Sequence, residues 1–417
     1  MAVSNKSRQR AIVIGGSIGG LLAAHQLRAI GWDVQVFERS TDDLADRGAG
    51  ISTHQAIFDA VARAGLVFDT SSRTVPSAYV CYARDGRVIE QSPAWRTMTN
   101  WSRVYRPLRE GLPAGCYLNN RVLSGVETSE QGVTALFSDG SRVDADLLVA
   151  ADGIRSTVRA QLFGGSAPAY AGYVAWRALV PEFELPTATW AALKDVYGFG
   201  APEGELLISY AVPTREEDKH KGAHSYNIVW YRPADETELR DLCTDEQGRR
   251  HEISIPPHRL RRDVVEAMKA DARALLAQPL ADVITCTAQP FLQAIYDFAS
   301  PHVVEGRVAL LGDAAFVARP HVGAGVTKAA LDAMGLADAI VAAGGDLKAA
   351  LRRYNDERTR FGNWCVERGQ QMGARIRKRQ PGTVAPPQAE LDQNCQLFLN
   401  DYLKVARDIE AMTSGGG

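Results

Sequence analysis

A chain of 417 residues with 46% hydrophobic and 23% charged residues is longer than one ordinary core and globular in composition, which excludes fibrous and disordered classes. Lys and Arg number 47 against 49 Asp and Glu, a net charge of -2, so there is no basic surplus to neutralise a phosphate backbone and no nucleic-acid partner is expected. The six cysteines stand at least 30 residues apart, which removes C-x-x-C redox and zinc-ribbon readings and fits free thiols in a reducing cytosol.

The first ten residues are polar and basic, and no run approaches ~20 apolar residues. The expectation is a cytoplasmic protein with no membrane partner. Ala11-Ile12-Val13-Ile14 reads as a buried parallel strand, Gly15 to Gly20 as a loop, and Leu21 to Ile30 as a helix ended by Gly31. Asp33 to Glu38 is the next strand, which completes a β-α-β unit. Residues 48–66 read as a glycine-rich loop and a helix. Residues 75–148 look strand-rich, with turns at Arg84-Asp85-Gly86 and Ser138-Asp139-Gly140, and Val143 to Ala150 reads as one apolar strand. Aromatic-rich alternation over 168–232 predicts further strands, interrupted by a charged surface loop from Thr214 to His224. Arg307 to Leu311 is another buried strand and Val326 to Ala343 an apolar helix. A long amphipathic helix is predicted over 346–377, a last one over 388–412, and a glycine tail at 415–417.

Gly15-Gly16-Ser17-Ile18-Gly19-Gly20 follows the pattern G-x-G-x-x-G, with Ser17 in place of the second glycine. Small residues let backbone approach a pyrophosphate, and the helix N-terminus aims N–H groups at it. Serine meets that need when its φ is negative. Glu38, 23 residues after Gly15 and next to Arg39, stands where a carboxylate can hold the ribose hydroxyls of an adenosine. This fingerprint alone does not choose between NAD and FAD.

Two later segments bear on that choice. Ala150-Ala151-Asp152-Gly153 follows one strand, and Gly312-Asp313-Ala314-Ala315, with Pro320-His321-Val322-Gly323-Ala324-Gly325 after it, follows another. The set resembles the single-component FAD-dependent aromatic hydroxylases, whose signatures are the N-terminal glycine loop, a DG segment and a GD segment, and the likeness runs from residue 11 to about 375. Tyr170 to Arg177, Ala318-Arg319-Pro320-His321 and Ser17 resemble the branch of that family acting on hydroxypyridines. The resemblance implies bound FAD, NADH or NADPH as a transient co-substrate, and O2, with hydroxylation through a flavin hydroperoxide.

It also implies cofactor contacts. Asp313 would bind the ribityl chain or ribose, Asp152 and Gly153 would support the FAD side, and Arg155 and Arg159 could reach a phosphate, with a surface ion pair the alternative for Arg159. Gly323, Ala324 and Gly325 would open a helix toward the flavin pyrimidine, where negative charge develops on reduction. Pro320 would hold its loop against the ring, Arg47 and Gly50 would lie beside it, and Arg106 would contact it. Where relatives carry His after the GD-Ala-Ala run, this chain has Phe316.

The expected fold is α/β: a Rossmann-like FAD-binding domain with a parallel sheet, an inserted mainly antiparallel substrate sheet, and C-terminal helices. FAD-binding parts fall at 1–74, 106–167 and 291–380, substrate-domain parts at 75–105 and 168–290, and a C-terminal helix with its tail at 381–417. Pocket candidates are Trp176, Tyr210, Tyr226 and Trp230, each equally readable as core, together with Pro320. His321 and His54 are candidates for proton removal or substrate contact, or they cap backbone groups. His220 and His224 have no third ligand, so no metal is expected. The long helix offers a face to the FAD domain or to a second copy, so a homodimer stays open.

The preferred activity is hydroxylation of a small electron-rich ring, a hydroxylated pyridine or related N-heterocycle. A larger phenolic or polycyclic natural product is the alternative substrate, and a non-catalytic FAD-binding regulator the alternative of another class.

Overall fold

The structure, a computed structural model, describes residues 8–46, 50–69, 73–164, 167–214, 222–252 and 254–414, and all counts below are made among them. Arg47, Gly48, Ala49, most of the charged loop with His220, and the glycine tail therefore lie outside the described residues. The helices are α1 (Ile18–Ala29), α2 (Gln55–Arg63), α3 (Trp101–Glu110), α4 (Thr157–Leu162), α5 (Thr187–Leu193), α6 (Glu236–Leu242), α7 (Arg262–Leu275), α8 (Gln278–Cys286), α9 (Gly325–Ala342), α10 (Leu347–Gly373) and α11 (Gln388–Ser414). None is long and apolar enough to cross a membrane.

The continuous apolar strands pair as their composition demands, buried on both faces. A six-stranded sheet runs Val304–Glu305, Val308–Leu310, Leu147–Ala150, Arg10–Ile14, Asp33–Phe37, Tyr117–Leu118, parallel except at its first strand. Helices α1, α9 and α10 pack with it into one core that includes Val13, Leu22, Leu148, Leu310 and Leu336.

A nine-stranded sheet carries the alternating segments. Its path is Ser254–Ile255, Phe291–Ala299, Ala169–Pro181, His224–Pro233, Leu206–Pro213, Val196–Gly200, Ala78–Tyr82, Val88–Pro93, with Phe316–Val317 paired to Phe291–Ala299 off that path. All its pairings are antiparallel except that of Val196–Gly200 with Ala78–Tyr82. Because side chains alternate across a strand, the sheet has two apolar faces. One, bearing Val174, Trp176, Tyr226 and Trp230, lies under α7 and α8; the other, bearing Tyr173, Tyr210, Val229 and Tyr231, meets α11.

The α/β class and the order of the main elements are as expected. Four local differences have physical causes. Residues 101–110, inside the stretch expected to be strand-rich, form α3, with Pro107 within it. Asn100 caps it by accepting from the Ser102 N–H (3.1 Å), and Val104, Tyr105 and Leu108 line one buried face. Gly50–Thr53, expected as loop, is a strand paired with Thr97–Asn100. The apolar run 143–150 splits at Asp146, whose side chain takes the Arg10 N–H (2.8 Å); Arg142–Ala145 joins a three-stranded meander and Leu147–Ala150 the parallel sheet. Finally α10 ends at Gly373 rather than 377, where the chain must leave the helix to let the Arg377 N–H bond the Gly204 carbonyl (3.1 Å).

Candidate functional site

Three distant segments meet at the C-terminal ends of the parallel strands. The Ala151 N–H bonds the Ile14 carbonyl (2.8 Å), and the Leu311 N–H bonds the Ala150 carbonyl (2.9 Å). Gly15 adopts φ +103°, and a Cβ there would overlap the Ala151 carbonyl oxygen. A Cβ on Gly16 would overlap the Tyr117 hydroxyl, and one on Gly20 the Gly15 carbonyl oxygen, whereas one on Gly19 would press on Leu311 and Ala329 (3.1 and 3.3 Å). The glycines are thus set by close approach rather than by turn geometry alone. Ser17, the residue before α1, has φ -79° and makes no side-chain cap, so the first-turn N–H groups at Ile18, Gly19 and Gly20 are left to an anion.

Glu38 is buried, with Oε2 taking the Gly16 N–H and Oε1 the Ser40 N–H (both 2.8 Å). It ties the loop to the second strand, and its remaining lone pairs can still accept ribose hydroxyls. Arg39 beside it is exposed. Asp152 caps α4, accepting from the Thr157 and Val158 N–H groups (2.8 and 3.3 Å), and Gly153 has φ +79°. Arg159, expected at a phosphate or in a surface ion pair, does neither. It is buried and donates to the Asp313 and Ala314 carbonyls (3.4 and 2.9 Å), which joins the DG and GD segments. Arg155 instead pairs on the surface with Glu252 (3.4 Å).

In the GD segment, Gly312 has φ +63° and donates its N–H to Asp332 (3.0 Å). The Asp313 side chain remains 58% exposed, and Lys328 Nζ stands 4.0 Å from both Asp313 and Asp332. Pro320 and Gly325 are exposed and Ala324 is buried. Gly323 has φ +66°, and Ala324, the residue before α9, makes no side-chain cap. Uncapped starts of α1 and α9, glycine positions that side chains would fill, and an exposed carboxylate between them fit a dinucleotide flavin. Arg106 lies on α3, partly buried, on a helix tied to α1 through the His25 ring and the Leu108 carbonyl (2.8 Å). A surface groove of about 510 Å³ lined by Arg10, Asp144 and Asp146 lies at the opposite, N-terminal end of the parallel strands and takes no part.

The second half of the site is where the nine-stranded sheet faces α9. The Gly50 N–H bonds Asn227 Oδ1 (3.0 Å), and Gly50 lies so close to Tyr210 and Asn227 that a Cβ would reach within 2.8 Å of the ring. Arg177 donates to the Gly50 carbonyl (3.4 Å). Tyr210 stacks on Tyr197 with ring centres 5.0 Å apart. Of the aromatic candidates, Tyr210 therefore faces the glycine segments. Trp176, Tyr226 and Trp230 do not: they project to the other face, into the core beneath α7 and α8, two helices that the sequence reading did not resolve within 168–290.

His321 stands at the end of a chain of polar groups. Arg319 pairs with Asp297 (2.6 Å) and donates to the Tyr173 hydroxyl (3.3 Å), which lies 2.9 Å from His321 Nε2. Of the two groups that the Tyr173 hydroxyl contacts, Arg319 can only donate, so the hydroxyl proton goes to Nε2 and the histidine hydrogen sits on Nδ1. Nδ1 is buried with no partner. His54 follows the same rule. Arg96, a donor only, contacts His54 Nδ1 (3.2 Å), and the Thr327 hydroxyl lies 2.7 Å from it. The hydrogen is then on Nε2, again buried and unpartnered. Burial and the Arg96 charge hold His54 at a pKa of about 2; burial and the Arg319 charge hold His321 at about 3. Both rings are neutral, and the free nitrogen of each is the one that carries the proton. Of the roles open from sequence, proton removal, substrate contact or backbone capping, this arrangement suits hydrogen-bond donation to a bound group.

Their unfolded pKa of about 6.5 lies above both folded values, so below it the unfolded chain binds protons that the folded chain refuses. Stability should be level above about pH 6.5 and fall on acidification by roughly 1.4 kcal/mol per pH unit for each ring, about 2 kcal/mol apiece at pH 5. Urea unfolding at pH 7 and pH 5 checks this: the double variant His54→Gln, His321→Gln should lose markedly less stability between the two than the parent does. Equal losses would contradict the assignment of neutral rings.

Sequence reasoning missed Arg96, Arg177, Asn227, Tyr173, Lys328 and the Asp297–Arg319 pair as members of this site. None sits in a glycine motif; Tyr173, Arg177 and Arg319 lie in segments that carry the family resemblance, but only burial and strand phase give them a place in the site. Among the described residues no group of three His, Cys, Asp or Glu is arranged to hold a metal, and His224 pairs with Glu182 (3.5 Å).

Comparison with known proteins agrees with this geometry. A family model described as FAD binding domain-like matches residues 170–297. The chain is 33% identical to the 2,6-dihydroxypyridine 3-monooxygenase of Paenarthrobacter nicotinovorans over 376 residues, covering 88% of this chain and 91% of that protein. It superposes on the structure of 2,6-dihydroxypyridine-3-hydroxylase from Arthrobacter nicotinovorans with a TM-score of 0.83 and 30% identity, over 91% of this chain and 99% of the other. It shares the fold of Klebsiella pneumoniae HpxO, solved with FAD and uric acid, at a TM-score of 0.70 and 23% identity over 99% and 97% of the two chains.

Proposed function

The chain belongs to the FAD-dependent aromatic hydroxylases, and from that premise we propose that its substrate is a small electron-rich ring, preferentially a hydroxylated pyridine or related N-heterocycle, oxygenated with NADH or NADPH as transient reductant. It is an FAD-dependent aromatic-ring monooxygenase, which ends the reading as a non-catalytic regulator. Bound FAD supplies the redox chemistry, accepting reducing equivalents from the nicotinamide and activating O2.

In this proposal Gly15, Ser17, Ile18, Gly19 and Gly20 bind the pyrophosphate. Glu38 and Arg39 hold the adenosine end, and Asp313, backed by Lys328, Gly312, Asp152 and Gly153, holds the ribityl side. Gly50, Pro320, Gly323, Ala324 and Gly325 border the ring, and the α9 N-terminus favours negative charge there. The domain division drawn from the sequence is carried forward on the same footing, with the face bearing Tyr210 as the substrate side.

The observation that carries the substrate reading is the pair of neutral histidines, each presenting a buried N–H with no partner. Buried donors demand acceptors, and ring oxygens of a hydroxylated heterocycle provide them. His54 and His321 would hold those oxygens, Tyr210 and Asn227 would cover the ring, and the sheet would keep out water. The relative named as a 2,6-dihydroxypyridine 3-monooxygenase supports a hydroxypyridine in particular.

A panel of hydroxypyridines, simple phenols and polycyclic phenols, scored for hydroxylated product, tests this. A dihydroxypyridine should give product accounting for most of the NAD(P)H consumed, and His321→Ala should keep FAD while coupling falls severalfold. Product only from polycyclic phenols would favour the larger-substrate alternative, and FAD-loaded protein that oxygenates no ring would defeat the proposal.

A further inference from the structure

Lys328 is the one buried lysine among the described residues: its side chain is 1% exposed, and its Nζ is enclosed with no hydrogen-bond partner. Nothing in the helix favours it there. It is the fourth residue of α9, where the N-terminal end of the dipole opposes a cation, and an ammonium taken out of water is costly unless an anion answers it. Arg159, also buried, differs because its guanidinium is spent on the Ile154, Asp313 and Ala314 carbonyls.

Two carboxylates stand 4.0 Å from Nζ, at Asp313 Oδ1 and Asp332 Oδ2. Asp332 is already answered: it accepts the Gly312 N–H (3.0 Å) and pairs with Arg358 of α10 (2.7 Å). Asp313 is the opposite case. Its side chain is 58% exposed and, among the described residues, accepts no hydrogen bond. Desolvation raises its pKa; Lys328 is the strongest influence holding it down, with Arg159 of α4 adding to it and Asp332 opposing. At 4.0 Å the ammonium lends charge without occupying a lone pair, so both Asp313 oxygens stay open to hydroxyl donors. The start of α9 is open too, since a carbon added at Gly325, three residues before Lys328, would meet nothing within 4 Å.

We propose that Lys328 is a positioning residue of the cofactor site: it is the counter-ion that keeps Asp313 a carboxylate, so that this side chain meets the ribityl or ribose hydroxyls of FAD with acceptors alone. The inference rests on the cofactor reading of Asp313 and adds what holds that residue in its working charge state. A protonated Asp313 would lose an acceptor position and, with it, a charge-assisted bond. Lys328 thus acts on FAD through Asp313, and the buried amine is kept for binding rather than for the helix that carries it.

The test is FAD retention by the holoenzyme, read as a dissociation constant from the flavin released on ultrafiltration between pH 8 and pH 6. In Lys328→Met that constant should rise about thirtyfold at pH 7.5, the loss of charge-assisted hydrogen bonds. It should rise severalfold further on acidification to pH 6, where the parent's stays level: without Lys328 the Asp313 pKa lies higher, so the carboxylate is lost sooner as pH falls. Lys328→Arg, which keeps the charge, should recover part of the affinity and the level profile. In an Asp313→Asn background no carboxylate remains to be held, and Lys328→Met should change retention less than about threefold. Lys328→Gln serves in its place if the methionine variant does not fold. Equal loss with and without the Asp313 carboxylate overturns the proposal, as does loss with the parent's pH profile, which would make Lys328 a support of the fold alone. Full retention in Lys328→Met while Asp313→Asn is impaired refutes the role of Lys328 only. Full retention in Asp313→Asn would refute the cofactor reading of Asp313 and the proposal with it.

Discussion

Gly15→Val is expected to yield a protein with less than about a twentieth of the parent's bound FAD. The residue has φ +103°, a conformation open to glycine, and an added side chain would overlap the Ala151 carbonyl oxygen. That carbonyl cannot retreat, because the Ala151 N–H is bonded to Ile14 on the adjacent strand (2.8 Å). The loop must lift instead, breaking the bond from the Gly15 N–H to the Phe37 carbonyl (2.8 Å) and turning the first N–H groups of α1 away from the pyrophosphate. Gly31→Ala is the control, since Gly31 has a similar φ of +94° with nothing within 4 Å of the added carbon. It should cost about 1–2 kcal/mol of backbone strain and leave FAD bound. Flavin absorbance of the purified proteins reads both outcomes, and full FAD content in Gly15→Val would contradict the close-packed loop.

Asp297→Ala should be the most destabilising polar substitution in the site region, by roughly 3–5 kcal/mol. Asp297 and Arg319 hold each other at side-chain exposures of 11% and 12%. Removing the carboxylate strands a guanidinium against Tyr173, whose hydroxyl fixes His321. There is no slack for it to move: a carbon added at Gly373 of α10 would lie 2.6 Å from the Tyr173 hydroxyl and closer still to Arg319. Removing the charge as well, in Asp297→Ala with Arg319→Met, should restore much of the loss, because an apolar pair carries no desolvation penalty. Urea unfolding of the FAD-loaded forms measures the cycle; a single-variant loss under about 1 kcal/mol would show that the pair is not shielded from water.

The cofactor half of the site was legible in the sequence because its requirements are local. A strand, small residues where backbone meets phosphate, and a helix start are written into Ala11 to Gly20, and again around Gly312 and Gly323, so those positions could be named without a fold. The substrate half was not legible, because it depends on which way a strand faces. Trp176 and Arg177 are neighbours in sequence and point to opposite faces; α7 and α8, some ninety residues later, claim Trp176 and leave Arg177 to the site. The same phase puts Trp230 under the helices and Tyr231 beside His321, with ring centres 5.4 Å apart.

Arg96 carries no sequence signal at all. It precedes an ordinary strand and gains meaning only because Tyr402 on α11, 306 residues away, and the Gly323 carbonyl close over it. The histidines are legible as candidates for proton removal or substrate contact, but the sequence does not choose between the two. An ordinary imidazole allows either, whereas the hydrogen position is set by Arg96 and Tyr173, which lie on other elements.

The most direct test of the whole arrangement is the position of the flavin ring in crystals of the FAD-loaded protein grown with 2,6-dihydroxypyridine. The account predicts an isoalloxazine bounded by Gly50 and the Gly323–Gly325 turn, with the pyridine against Tyr210 and its oxygens at His54 and His321. A pyridine seated on the face of Trp176 and Trp230, or a flavin away from the glycine loop at Gly15, would contradict it.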